Sequence, residues 1–330
     1  MKPTNRRQFL RLSGGAAAAP LLARSSWAQA PAPAWPTKPI RVIVPLTPGS
    51  ASDVMARIVG DQLAAQLGQP IVVENRPGAG NTIGMSAVAK AEPDGYTILV
   101  NSSTHTVTPA TRSNLGFEMT DLAAVIPLGN MPVVMIFNPA RGYKKLSDFV
   151  AYAKANPGKI NYASAGAGNS SHLNGERFRL AAGFEAVHLP FKGAPEATTE
   201  VIAGRADFYF SPLVNALSLI KEGTVQALAV SGSARASALP DVPTTVEAGY
   251  PNSEYNFWVG MFAPVKTPAD IRAKLYAEGA KALQSPATRE KLATLGADPM
   301  QLNSAQFEAL VKTEIETNTQ LVKAAGIKVN

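Results

Sequence analysis

The regular pattern of the chain begins with an apolar run of strand length at residues 40–44, which is rich in β-branched side chains. A turn of small residues follows, and either Ser50 or Ser52 can then cap a helix whose first turn suits Asp53. Apolar residues recur on one face of this helix until Gly68 ends it. A small-residue turn between a strand and a helix leaves backbone N–H groups free for an anion. We predict that this turn and similar later turns meet around one small anionic ligand.

The next two predicted strands end in similar turns. Residues 71–73 form an apolar strand that leads into a glycine-rich turn at residues 78–84, and a third strand at residues 97–100 leads into six polar residues at 101–106. Alternating strands and helices with short turns are typical of a parallel α/β sheet, whose ligand lies at the carboxyl ends of the strands. The spacing G-x-G-x-x-x-G of the glycine-rich turn resembles a dinucleotide fingerprint, but a tight turn that needs glycine explains it equally well.

Two later segments are predicted to cross between domains. Residues 121–138 are apolar but contain two prolines, with a third directly after them at position 139. Central strands tolerate proline poorly, so we predict an extended segment that leaves the first domain. A second series of strands, small-residue turns and helices covers residues 140–250. An apolar strand at residues 256–263 can return to the first domain, and the helical patterns after it can cover the first sheet. Two crossings suit a hinge-bending clamshell. The predicted lobes are residues 37–138 with 256–330 (lobe 1) and residues 139–255 (lobe 2).

The first residues have the form of a twin-arginine export signal. Arg6 and Arg7 precede an alanine-rich stretch, and small residues suitable for cleavage follow. Cleavage after Ala28 or Ala30 fits this pattern, and Ala28 is favoured because Pro31 should hinder cleavage after Ala30. We therefore predict a signal peptide at residues 1–28, a stiff linker at residues 29–36 and a periplasmic protein exported by the twin-arginine route.

Removal of the predicted signal changes the charge of the protein. The formal net charge of +7 falls to +2, because residues 1–28 contain five basic and no acidic residues. A nearly neutral chain without a stripe of Lys or Arg lacks the electrostatic footprint of a nucleic-acid-binding protein. The sequence contains no cysteine, which excludes disulfides, thiolate metal sites and cysteine nucleophiles. No later segment approaches about 18 uninterrupted apolar residues, so none is predicted to span a membrane.

Residue types that could carry chemistry are few and not arranged in a known catalytic pattern. The histidines are His105, His172 and His188, and the absence of an HExxH-like spacing predicts no metal site. We expect His188 to be structural, His172 to support a loop and His105 to be the best candidate for ligand contact. Asp53 and Asp207 are explained by a helix amino end and by a turn, and no serine lies in a G-x-S-x-G elbow.

Several longer motifs resemble a known family. They are VPLTPGSASDVMAR (44–57), VVENRPGAGNTIG (72–84), DGYTILV (94–100), SHLNGERF (171–178), HLPFKGAPEA (188–197) and GRADFYF (204–210). Together they are similar to the extracytoplasmic solute receptors of tripartite tricarboxylate transporters, also called Bordetella uptake proteins, over essentially the whole mature chain. The resemblance implies a bilobed, type II-like periplasmic-binding-protein fold, made of two α/β lobes with a hinge.

The resemblance also implies a ligand site in the loops between the lobes. In the family, backbone N–H groups and hydroxyls hold the carboxylates of the ligand, without catalysis, metal or cofactor. The first-lobe contacts implied by the matching motifs are Thr47, Gly49, Ser50, Ala51, Ser52, Asn81, Ser102, Ser103, Thr104 and His105. The second-lobe contacts are Ser164, Ala165, Gly166, Asn169, Ser170, Lys192, Gly193 and Ala194.

The function implied by the resemblance is that of a periplasmic receptor. A monomer would capture a small carboxylate between its lobes and present it to the membrane subunits of a tripartite tricarboxylate-type transporter, or to a sensor. The alternative is an exported dinucleotide-dependent enzyme of α/β fold, because the twin-arginine route exports folded proteins and often serves cofactor enzymes. The glycine spacing and the lack of paired carboxylates, a metal cluster or a nucleophile elbow argue against this enzyme.

Two departures from the family pattern bear on the ligand. Ser50 stands where the family usually has a second glycine, and it either donates its hydroxyl or narrows the approach. Ser211 stands where the family often has an acid, which favours a different functional group at the far end of the ligand. Lys192 is either a charge that faces the anion or a solvated loop lysine. Near the predicted loops, only Phe191 and Tyr162 offer aromatic rings for stacking.

Overall fold

The computed structural model describes residues 35–327 and contains two five-stranded sheets. The strands are β1 (Ile40–Val44), β2 (Ile71–Asn75), β3 (Thr97–Ser102), β4 (Leu122–Met131), β5 (Val133–Phe137), β6 (Asn161–Ser164), β7 (Val187–Pro190), β8 (Phe208–Pro212), β9 (Gln226–Val230) and β10 (Phe257–Pro264). The helices are α1 (Ala51–Leu67), α2 (Thr82–Ala89), α3 (Thr104–Thr111), α4 (Leu146–Ala155), α5 (Ser170–Ala182), α6 (Ala194–Ile202), α7 (Leu213–Lys221), α8 (Ala269–Gln284), α9 (Pro286–Thr294) and α10 (Ser304–Ala324).

The opening strand, turn and helix form as the sequence pattern predicts. β1 is buried at four of its five positions, and α1 follows after a short turn. The backbone N–H of Asp53 donates to Ser50 Oγ at 3.4 Å, so Ser50 rather than Ser52 caps the helix. Gly68 ends it in a left-handed conformation with φ +67°, which glycine adopts without the steric cost that a side chain would bring.

Each sheet combines parallel and antiparallel strands. The first has the order β2-β1-β3-β10-β4 and the second the order β7-β6-β8-β5-β9. β1 is parallel to β2 and β3, and β6 is parallel to β7 and β8, whereas β10 and β5 are antiparallel to their neighbours. The three strands predicted to be parallel are so, and the returning strand β10 joins the first sheet in the opposite direction. The two sheets with their helices form the bilobed α/β fold.

The chain crosses between the sheets at Pro132. β4 pairs in the first sheet and β5 in the second, with Pro132 alone between them. The sequence placed the chain up to residue 138 in lobe 1, and the pairing of β5 with β8 and β9 corrects this point. β4 is an edge strand, which explains why it tolerates Pro127. The second crossing lies between β9 and β10, at residues 231–256.

Helices from the carboxyl-terminal part of the chain cover the first sheet. α8 and α10 pack against β4, and α10 also packs against α3, which agrees with the predicted helical layer. The sequence pattern did not predict α3, whose residues THTVTPAT lack apolar periodicity. Side-chain hydroxyls instead contribute hydrogen bonds to the helix backbone, because Thr108 Oγ1 donates to the Thr104 carbonyl at 2.8 Å and Thr111 Oγ1 to the Val107 carbonyl at 3.1 Å.

The predicted signal peptide and all of the predicted linker except Trp35 and Pro36 lie outside the described residues. Among the helices that are described, none has the length and the apolar character needed to cross a membrane.

Candidate ligand-binding site

A small cavity lies between the two sheets. Its volume is about 30 Å³, room for one or two water molecules. Eight of the predicted site residues line it: Ser50, Ala51, Ser102, Thr104, Ala165, Asn169, Ser170 and Ala194. Because these residues come from both lobes, the cavity is an interlobe site.

The amino ends of four helices meet at this cavity. α1 begins at Ala51, α3 at Thr104, α5 at Ser170 and α6 at Ala194, and all four residues line the cavity. The amino end of a helix carries a partial positive charge and unsatisfied N–H groups. Among the described residues that line the cavity, none has a carboxylate, ammonium or guanidinium group. The electrostatic preference for an anion therefore comes from backbone dipoles rather than from a charged side chain.

Direct hydrogen bonds hold the two lobes together beside the cavity. Thr104 Oγ1 of α3 donates to Ser170 Oγ of α5 at 3.0 Å, and the Ser170 backbone N–H donates to Thr104 Oγ1 at 3.1 Å. Thr111 Oγ1 lies 3.3 Å from the Gly168 carbonyl oxygen, which shares the single hydroxyl hydrogen with the Val107 carbonyl. Since these bonds join residues of opposite sheets, the structure represents a closed arrangement of the lobes.

Thr47 of the first lobe and Gly193 of the second lie in close contact. Gly193 caps α6 with an extended backbone, φ −174°, so its conformation alone does not require glycine. A Cβ atom at this position would lie 1.9 Å from Thr47 Oγ1 and 3.1 Å from Thr47 Cβ. Glycine is therefore needed at this position to permit the contact between the lobes. Neither of the two residues lines the cavity.

A wider groove adjoins the cavity. It has a volume of about 340 Å³ and is lined by the glycine-rich turn of the first lobe and by loops of the second. Ala165 and Asn169 line both spaces, so the groove leads to the cavity. Three further predicted residues lie along the groove, namely Asn81, Gly166 and Lys192. Lys192 is exposed, and its backbone N–H donates to Glu196 Oε2 at 3.0 Å.

The other predicted site residues line neither space. They are Thr47, Gly49, Ser52, Ser103, His105, Ser164 and Gly193. His105 is buried and stacks on Phe262 with ring centroids 3.9 Å apart. Burial lowers the pKa of His105 to about 3, so its ring is neutral and acts in packing. Ser164 Oγ is engaged by His188 Nε2 at 2.6 Å.

The other two histidines have the structural roles that the sequence predicted. His172 Nδ1 accepts a hydrogen bond from the Gly168 N–H at 3.2 Å and so supports the loop before α5. His188 stacks on His172 with centroids 3.8 Å apart, and burial lowers the pKa of His188 to about 3.

The two candidate acids are also structural. Burial opposes ionisation of Asp53, but hydrogen bonds from Arg57, Gly49 and Asn75 outweigh it and lower the pKa of this carboxyl. Asp207 pairs with Arg141 at 2.6 Å and accepts from a backbone N–H, so it holds a turn. Within residues 35–327, no cluster of acidic and histidine side chains could hold a metal ion.

Sequence reasoning missed half of the cavity lining. The additional residues are Leu46, Val133, Ser171, Asn174, Tyr209, Phe210, Pro212, Tyr255 and Phe257. Asn174 follows Ser170 by four residues, so helical periodicity could have found it. Pro212 is the last residue of β8, which fits the expected ligand side of a strand, whereas Tyr209 is the second residue of β8 and has no such signal. The aromatic residue expected from the sequence, Tyr162, is instead buried with its hydroxyl donating to Glu176 Oε1 at 2.6 Å.

The sequence matches the family model described as tripartite tricarboxylate transporter family receptor over residues 55–327. The chain belongs to this receptor family. A relative named BugT, from Bordetella pertussis, is 36% identical over 299 residues, which cover 89% of this chain and 91% of BugT. These findings confirm the family that the motifs resembled.

Solved structures support the same fold for this receptor. The periplasmic binding protein BugD is 32% identical with a TM-score of 0.85, and the match covers 89% of this chain and 99% of BugD. MatC from Rhodopseudomonas palustris, solved with bound malate, is 33% identical with a TM-score of 0.82 over 87% of this chain and 99% of MatC.

The export signal is confirmed as well, since a twin-arginine signal model matches residues 3–23. The protein is thus a periplasmic solute-binding receptor and not an enzyme, and the dinucleotide-dependent alternative is set aside.

Proposed function

We propose that the receptor captures a small carboxylate in the interlobe cavity and presents it to the membrane subunits of a tripartite tricarboxylate-type transporter. It acts as a monomer, with the mature chain beginning after Ala28, and binds no nucleic acid. The observation that carries this proposal is the meeting of four helix amino ends, from both lobes, at one cavity without a charged lining residue in the described chain.

The chemistry of these helix ends suits a carboxylate. Backbone N–H groups and hydroxyls such as those of Ser50 and Ser170 can donate to carboxylate oxygens, and the helix dipoles stabilise its negative charge. The malate bound by MatC supports a carboxylate for this chain as well. Thr47, Gly49 and Gly193 contribute to the proposed site by allowing the lobes to close rather than by lining it.

Ligand binding is coupled to closure because each lobe supplies part of the donors. Ser50 and Thr104 belong to the first lobe, and Ser170 and Ala194 to the second. Only a closed arrangement satisfies the ligand with both sets, so binding shifts the population towards closure. Because the cavity in this structure has room for one or two water molecules, the ligand-bound arrangement holds the lobes slightly further apart. The transporter then distinguishes the closed from the open receptor.

A thermal-shift screen of the mature chain, residues 29–330, tests this function. The protein is partly unfolded and refolded to remove bound ligand, and the panel contains carboxylates, amino acids, NAD and FAD. A ligand at about 1,000 times its dissociation constant adds about 4 kcal/mol of stability, which raises the unfolding midpoint by roughly 8–16 °C. A carboxylate hit of this size supports the proposal. A shift of this size with NAD or FAD, and none with any carboxylate, would overturn the proposal.

A further inference from the structure

The cavity has two distinguishable ends. Its groove end is formed by Ala165 and Asn169, which also line the adjoining groove. The opposite end lies at the two crossings between the lobes, because Val133 directly follows Pro132 and Tyr255 closes the segment that returns to β10. Asn174 lies one helical turn beyond Ser170 along α5, and it is linked through Ser231 to Tyr255. We call this second end the hinge end.

Buried polar atoms without partners line the cavity. Asn174 is 1% exposed, Tyr209 0% and Tyr255 6%. No group in the described part of the chain lies within hydrogen-bonding distance and geometry of Asn174 Oδ1 or of the two tyrosine hydroxyls. Serine hydroxyls lie further off, that of Ser103 near Tyr255 and those of Ser171 and Ser211 near Tyr209, and they interact with the two phenols only weakly. A buried polar atom without a partner has lost its hydrogen bonds to water without replacement, so three of them beside one cavity indicate a polar partner in the cavity.

The orientation of the Asn174 amide is fixed by its neighbours. Asn174 Nδ2 donates to Ser231 Oγ at 2.9 Å, and Ser231 Oγ donates its own hydrogen to the Tyr255 carbonyl at 3.4 Å. Ser231 can therefore only accept from Asn174, which keeps the amide nitrogen on Ser231 and leaves Oδ1 as the free atom. A free acceptor requires a donor, and where the ligand displaces water from this end the ligand must supply it, which a carboxylate oxygen cannot do.

The charge balance of the cavity favours a neutral donor. No acidic side chain is found among its described lining residues, and an ammonium group would lie next to four positive helix ends. The carboxyl that acts electrostatically on Tyr255, Glu314, lies outside this lining, and burial raises its pKa to about 7, so it is a weak counter-charge near neutral pH. Burial raises the pKa of Tyr209 and of Tyr255, so both phenols stay protonated and neutral. A hydroxyl group fits these surroundings, because it can donate to one atom and accept from another.

We propose that the hinge end binds an uncharged hydroxyl of the ligand, which donates to Asn174 Oδ1 and accepts from the Tyr255 hydroxyl. The ligand class is then a hydroxy-substituted monocarboxylate, with its carboxylate at the helix amino ends. This inference rests on the proposed function, since it assumes that a carboxylate occupies the cavity.

Calorimetry with matched probes tests the inference. The probes are the ω-hydroxyalkanoates of three to six carbons, the corresponding alkanoates, ω-aminoalkanoates and α,ω-dicarboxylates, and benzoate with its 3- and 4-hydroxy derivatives. A site built around a hydroxyl rejects an analogue that lacks it, because its own polar atoms then stay unpaired. We expect the best hydroxy compound to bind about ten-fold or more tightly than its unsubstituted partner.

Two variants assign this preference to the hinge end. Asn174→Leu keeps a similar volume without the acceptor and should reduce the hydroxyl preference to about two-fold or less. Tyr255→Phe removes one hydroxyl and keeps the ring, so it tests the same point if Asn174→Leu does not fold. Tyr250→Phe is the matched control, because Tyr250 packs on Phe178 away from the cavity lining and its loss should leave the preference unchanged.

The outcomes separate this inference from the proposed function. Equal or tighter binding of alkanoates, dicarboxylates or aminoalkanoates overturns the hydroxyl assignment but leaves a carboxylate receptor. A hydroxyl preference that survives in both Asn174→Leu and Tyr255→Phe overturns the assignment of the residues. If in addition no carboxylate raises the unfolding midpoint in the thermal-shift screen, the proposed function is overturned, and this inference with it.

Discussion

Replacement of Gly193 by alanine should weaken ligand binding without unfolding the protein. The added Cβ would lie 1.9 Å from Thr47 Oγ1, whereas ordinary van der Waals contact begins near 3.4 Å. About 1.5 Å of movement is therefore needed between residues of opposite lobes. The backbone of Gly193 is extended, so alanine adds no conformational strain within its own lobe.

The cost of this clash falls on the closed arrangement alone. A change of the Thr47 rotamer moves Oγ1 away but not Thr47 Cβ, which stays 3.1 Å from the new atom, so a shift of a few tenths of an ångström and the cost of the new rotamer remain. Overpacking of this kind costs about 1–3 kcal/mol. Because the open arrangement relieves the contact, the dissociation constant should rise by roughly 5- to 150-fold. The unfolding midpoint without ligand should change by less than about 2 °C.

A double-mutant cycle with calorimetry checks the cause. The ligand is the carboxylate with the largest shift in the thermal screen, and Gly193→Ala is measured both in the wild-type background and in Thr47→Ala. Alanine at position 47 removes the nearest atom, so the effect of Gly193→Ala should fall to about three-fold or less relative to Thr47→Ala alone. Equal losses in both backgrounds, or no loss in either, would refute closure through this contact.

Two other predictions concern charged side chains near the site. Lys192 is exposed along the groove, so Lys192→Met should raise the dissociation constant less than about three-fold at physiological salt. Association at low salt should be slower in stopped-flow measurements. A loss of affinity of about ten-fold or more would mean that the ammonium group contacts the ligand. Burial raises the pKa of Glu314 to about 7, against hydrogen bonds from Trp258 and Thr106 that lower it. The folded state therefore holds this proton more tightly than the unfolded state, and the free energy of unfolding should fall by up to about 3 kcal/mol as the pH rises from about 4.5 to about 7. Glu314→Gln should remove this dependence of the free energy of unfolding on pH, measured by urea unfolding at about pH 5 and about pH 8. If the variant keeps the same difference between the two pH values as the wild type, the burial argument is contradicted.

Tertiary context decided several features that no local pattern contains. β5 belongs to the second sheet although it follows β4 by a single residue, since its hydrogen-bond partners β8 and β9 come from distant parts of the chain. α3 forms without apolar periodicity, because Thr108 and Thr111 return their hydroxyls to the backbone and the helix packs against α10. The lining residue Tyr255 has no motif around it and reaches the cavity only through the return crossing.

The sequence by itself determined the strand, turn and helix units, because caps such as Ser50, end signals such as Gly68 and apolar periodicity act over a few residues. It also determined the family and the export signal, since both are carried by contiguous motifs. Only the tertiary structure decided which atoms face the ligand. Asn174, Tyr209 and Tyr255 lie far apart along the chain and meet because α5 and β8 of the second lobe and the return crossing pack side by side. That meeting depends on long-range pairing and packing, which short-range patterns do not encode.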